Sequence, residues 1–119
     1  MKRILVVDDD ASVRQVLRCR LEHNGYEVLE ASNGVEAFAN AKDKKPDLIL
    51  LDVMMPVMDG YSLMEEMKWE DDIKKIPILV LSGRTEIKDV FAARGSIHFL
   101  AKPFETRELL DMVSTCAGH

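Results

Sequence analysis

Three consecutive carboxylates, Asp8, Asp9 and Asp10, follow directly on the apolar run Ile4–Val7. Two such charges about 4 Å apart repel by about 4 kcal/mol at an effective dielectric near 20, so a compensating group is required. Three other apolar runs end in groups of matching chemistry: 47–51 in Asp52, 76–81 in Ser82 and 97–101 in Lys102. A divalent cation reverses the sign of the carboxylate interaction. Magnesium fits best, since it takes hard oxygen ligands, one or two carboxylates, retained waters and a phosphate oxygen. Lys102 supplies a compact charge suited to phosphate, and Ser82 a hydroxyl able to donate to a phosphoryl oxygen. A carboxylate can itself accept a phosphoryl group as an acyl phosphate. The set reads as metal-assisted phosphoryl transfer to an aspartate. Asp10 reads differently, as the N-cap of the helix that carries Val13.

These residues need elements that bring them to one edge. Five short apolar runs, 4–7, 26–31, 47–51, 76–81 and 97–101, are rich in Val, Ile and Leu and read as strands, several of them buried on both faces. Between them lie helical stripes: Val13, Val16, Leu17 and Leu21; Val35, Phe38 and Ala39; Leu63, Met64 and Met67; Ile87, Val90 and Phe91; and Leu109, Leu110 and Val113. Turn chemistry at Asn24-Gly25, Ser32-Asn33-Gly34, Lys45-Pro46-Asp47, Asp59-Gly60 and Ile76-Pro77 separates the pieces. The alternation predicts an α/β fold, a doubly wound parallel sheet with helices on both faces and right-handed crossovers. In such a sheet, ligands gather beyond the carboxyl ends of the strands, which is where Asp8, Asp9, Asp52, Ser82 and Lys102 fall.

The 119 residues suit one domain with one core, and an apolar share of 47% argues against disorder. A net charge of −5 argues against nucleic acid or anionic membrane as partner. Cys19 and Cys116 are too few and too far apart in sequence for a disulfide framework or zinc site, and suit a reducing cytoplasm. No apolar stretch is long enough to span a membrane, and the opening residues lack the apolar core of a signal peptide. Met54, Met55, Met58, Met64 and Met67 lie close together, but their spacing suits a loop and helix better than a soft-metal site.

The pieces "ILVVDD" (4–9), "PDLILLDVMMPVMDG" (46–60), "IPILVLSG" (76–83) and "FLAKPF" (99–104), in this order and spacing, resemble the receiver domains of two-component response regulators. The resemblance covers essentially residues 1–119. It implies a flavodoxin-like five-stranded sheet of order 2-1-3-4-5, an arrangement general accounts of these folds illustrate with the chemotaxis member of this family. It implies Asp52 as phospho-acceptor, Asp8 and Asp9 as the magnesium-binding acids, and the backbone carbonyl of Met54 as a further ligand. Lys102 would contact the incoming phosphoryl group, with Lys102-Pro103 in the cis form. Ser82 would swing toward the phosphate, and Phe99 would be the switch aromatic. Met54 and Arg84 would tune dephosphorylation. The implied partner is a sensor histidine kinase or a histidine phosphotransfer protein. The implied output face is formed by the helix after Ser82, the fifth strand and the closing helix. No output domain is expected within the chain.

Rival functions fit less well. An aspartate-nucleophile phosphohydrolase matches Asp8-Asp9-Asp10 as Asp-x-Asp, but needs a further acidic pair after the lysine and leaves Asp52 without a role. A receiver-like interaction module that no longer accepts phosphate does not need Asp9, Asp52 and Lys102 together. A flavodoxin would cradle phosphate in a hydroxyl- and glycine-rich loop rather than in acids. One departure from the family pattern stands out. The stretch 83–94 between Ser82 and the fifth strand is short, which predicts a helix of reduced length with only Ile87, Val90 and Phe91 to anchor it.

Overall fold

The computed structural model of the chain describes residues 1–52, 57–83 and 97–118, with the helical backbone alone for 57–61. Five strands, β1 (Arg3–Val7), β2 (Glu27–Ala31), β3 (Leu48–Asp52), β4 (Ile78–Ser82) and β5 (Ile97–Ala101), form one parallel sheet of order β2-β1-β3-β4-β5. This is the predicted doubly wound order. The described helices are α1 (Ala11–His23), α2 (Gly34–Lys44), α3 (Val57–Met67) and α4 (Thr106–Ala117). The short helix expected within 83–94 falls almost wholly outside the described residues.

The central strands are apolar because both of their faces are covered. β3 and β4 are buried at every position. Alternate residues point to opposite faces, so Val7, Ile49, Leu51 and Val80 join Leu63, Met64 and Met67 on the side of α2 and α3. Val6, Leu48, Leu50 and Leu81 join Leu17, Leu21, Leu109 and Val113 on the side of α1 and α4. Fully burying a Leu or Ile side chain contributes roughly 1.5–3 kcal/mol, and among the described residues eleven large side chains reach that state.

Local chemistry starts and stops the helices. Asp10 caps α1 by accepting from the Ser12 N–H at 2.8 Å. Asn33 caps α2 by accepting from the Glu36 N–H at 2.9 Å, and Glu36 reaches back to the Ser32 N–H at 3.1 Å, satisfying two end groups reciprocally. Gly25, at φ 90, makes the left-handed turn from α1 into β2.

Two stripes differ from expectation. Val16 is about half exposed, because α1 meets the sheet along the narrower line of Val13, Leu17 and Leu21. On α2 the buried residues are Ala37 and Ala41, with Phe38 partly covered, while Ala39 is exposed and Val35 is 81% exposed. Small side chains four apart let this helix lie close to its neighbours, a phase that a search for large apolar residues misses. After α3 the chain turns through 68–77, anchored by the fully buried Ile73. Trp69 there is 77% exposed, with the Lys68 ammonium 5.1 Å from its ring centre. Among the described residues no helix is long and apolar enough to cross a membrane.

Candidate functional site

Strand register assembles the site. Val7 pairs with Leu51 across β1 and β3, so the next residue on each strand, Asp8 and Asp52, leaves the same edge side by side. Asp52 in turn pairs with Leu81, placing Ser82 one step beyond on β4. The ladder between β4 and β5 continues past Ala101, with the Lys102 N–H donating to the Ser82 carbonyl at 2.8 Å. The Lys102 ammonium then reaches Oδ1 of Asp52 at 2.5 Å. The Lys102-Pro103 peptide is cis, as the resemblance implied.

Burial makes these groups costly and therefore informative. Asp8 is fully buried, Asp52 is 4% exposed, Ser82 is buried, and Lys102 is 26% exposed. Unpaired charge in such a setting costs about 3–5 kcal/mol once a partner is removed. Asp52 meets that cost through Lys102. Asp8 does so only in part: its Oδ1 accepts from the Asp10 N–H at 2.7 Å, while Oδ2 is buried with no partner. Burial pushes the Asp8 carboxyl up to about 7. The Asp10 N–H opposes that shift, while the neighbouring acids Asp52 and Asp9 add to it. Asp9 is exposed at the rim.

An orphaned buried carboxylate oxygen beside a second buried acid is a place for a hard cation. Among the described residues no three His, Cys, Asp or Glu side chains close into a complete metal-ligand group. Magnesium takes few carboxylates and fills its remaining positions with water, carbonyls and phosphate oxygens. The donor set fits the ion.

The structure gathers Asp8, Asp52, Ser82 and Lys102 and leaves Asp9 at the mouth. Phe99 pairs with Val80 on β5 and packs, partly covered, on the α2 and α3 side of the sheet. By strand alternation that is also the side to which Ser82 belongs. Met54 and Arg84 lie outside the described residues. Sequence reasoning missed Arg14, whose guanidinium donates to the Asp8 carbonyl at 2.6 Å and to Glu30 at 3.1 Å. A basic residue one turn into a helix carries no signal of its own that it folds back onto the preceding loop.

Residues 4–114 match the family model described as the response regulator receiver domain. Response regulator MprA of a Mycobacterium species is 44% identical over 91% of the chain and 47% of its own length. The chain thus spans about half the length of the curated relatives it matches. The Vibrio cholerae chemotaxis protein CheY4 is 37% identical, with a TM-score of 0.87 over 98% of both chains. The Thermotoga maritima response regulator TrrA, solved in complex with Mg(2+)-BeF, is 31% identical with a TM-score of 0.84, covering 98% of this chain and 99% of its own. The chain belongs to the family of response regulator receiver domains.

Proposed function

We propose that the chain is a phosphoryl-accepting switch whose acceptor is Asp52. Its Oδ atom attacks the phosphorus of a phosphohistidine on a sensor histidine kinase or histidine phosphotransfer protein. The phosphorus–nitrogen bond breaks, the imidazole leaves and takes up a proton, and an acyl phosphate forms on Asp52. The observation that carries this reading is the buried Asp52 carboxylate held by Lys102 beside the orphaned oxygen of Asp8.

Asp8, Asp9, Asp52 and the carbonyl of Met54 would hold Mg2+, a role consistent with the magnesium complex named for the Thermotoga relative. When bound, the ion neutralises charge on the acids and on the phosphoryl oxygens. Lys102 transfers its ammonium from the carboxylate to a phosphoryl oxygen, and Ser82 donates its hydroxyl to another. Phe99 follows Ser82, changing the face that β5 shares with α4. The resemblance assigns Met54 and Arg84 the tuning of attack by water on the phosphoryl group, by which the domain would govern its own dephosphorylation. The acidic net charge supports a receiver segment that does not itself bind nucleic acid, with the cytoplasm as its setting.

Acetyl phosphate with Mg2+ is expected to add one phosphoryl group to the wild type and none to Asp52→Asn. Undiminished incorporation in the variant overturns the assignment.

A further inference from the structure

Asp8 has four polar attachment points, and three are fixed. Its N–H donates to the Ala31 carbonyl at 3.1 Å, extending the β1–β2 ladder by one rung. Its Oδ1 accepts from Asp10. Its carbonyl accepts from Nη1 of Arg14 at 2.6 Å. Only Oδ2 is unpartnered. The carbonyl belongs to the peptide plane joining Asp8 to Asp9, so holding it fixes the plane from which the exposed Asp9 side chain departs.

We infer that Arg14, held by Glu30, is a positioning residue that orients the Asp8–Asp9 peptide for the cation; the inference rests on the magnesium reading above. A cation next to a cation site is costly unless its charge is matched. Glu30 matches it, accepting from Arg14 Nε at 3.1 Å and from Arg18 Nη1 at 2.7 Å. Arg18, then Arg14, hold the Glu30 carboxyl below the usual range. Arg18 is itself shared between Glu30 and Glu22. Arg14 therefore delivers geometry to the acidic turn with little net field. Its side chain is 17% exposed, which limits its freedom to leave.

Isothermal titration of the full chain with MgCl2 separates this from a purely structural role. Arg14→Gln is expected to weaken Mg2+ binding about tenfold, the lower end of what outer partners of metal ligands contribute. Arg14→Lys, which keeps the charge and one of the two contacts, is expected to recover part of the loss. Arg18→Gln breaks the exposed ion pairs but not the carbonyl contact, and is expected to lower the melting temperature while leaving the dissociation constant within twofold. If Arg14→Gln proves unfolded, Glu30→Gln, which frees the guanidinium and leaves its charge unmatched, is expected to weaken binding in the same sense. Unchanged Mg2+ affinity in a folded Arg14→Gln or in Glu30→Gln overturns the inference, as does equal weakening by Arg18→Gln. A wild type that binds no Mg2+ overturns the magnesium reading itself, a distinguishable failure.

Discussion

The Lys102 ammonium lies 2.5 Å from Oδ1 of Asp52, although the two residues are fifty positions apart in the chain. β5 sits at the edge of the sheet and β3 at its centre, so the side chain crosses the end of β4 to make this contact. Its backbone is fixed for that reach by the bond from its own N–H to the Ser82 carbonyl. The acceptor acid, the hydroxyl and the ammonium are thus held across three adjacent strands by one continuous ladder.

Removing the ammonium leaves a nearly buried carboxylate beside Asp8. Lys102→Met is expected to lower metal-free stability by about 3 kcal/mol, at the modest end for a buried pair because Lys102 retains some solvent contact. Adding Asp52→Asn is expected to restore most of the loss. Urea unfolding of both variants checks this; a single variant as stable as wild type contradicts it.

Asp8 sets a pH dependence of definite sign. Its native value of about 7 lies above the ~3.9 of an unfolded aspartate. Between these values the native state holds a proton that the unfolded state lacks. The stabilising contribution is complete below about pH 4 and is lost as the pH rises through about 7. Metal-free melting temperatures are expected to show this fall, and Asp8→Asn to remove it and to be more stable than wild type at neutral pH. Mg2+ must displace the same proton, so its apparent affinity is expected to weaken up to tenfold per unit below pH 7.

Asp10 is separable from its neighbours. Asp10→Ala removes the cap on α1 and is expected to cost about 1 kcal/mol, while phosphoryl incorporation remains. Asp9→Ala is expected to do the reverse, abolishing the rise in melting temperature on adding Mg2+. A metal-induced rise that survives Asp9→Ala removes that residue from the site.

The packing of α2 makes a sharp contrast between positions two residues apart. Val35→Glu is expected to change stability by no more than about 0.5 kcal/mol. Ala37→Leu is expected to cost about 1–3 kcal/mol through overpacking. Equal effects at the two positions contradict the phase of the helix.

The sheet was legible because its strands are short apolar runs separated by Gly, Pro and Asn turns, and the site because its acids and its lysine close those runs. Asp10 was separable from Asp8 and Asp9 on capping chemistry alone. Less legible were contacts made by ordinary residues through tertiary proximity. Ala37 and Ala41 bury a face without bulk, Ile73 anchors a turn with no periodic neighbours, and Arg14 reaches backward onto a carbonyl. In each case the decisive quantity is a distance to another element, which spacing along the chain does not encode.

Trp69 is the chain's single tryptophan. It follows α3, which returns the chain to the starting edge of the strands, so a five-residue strand of roughly 17 Å separates it from the acids. An indole that exposed and that distant cannot be quenched by direct contact with an ion or phosphoryl group. Emission from the unmodified protein is therefore a silent baseline for ligand occupancy. Any spectral change that accompanies loading must have travelled the length of the sheet, so the protein carries its own optical gauge of long-range transmission.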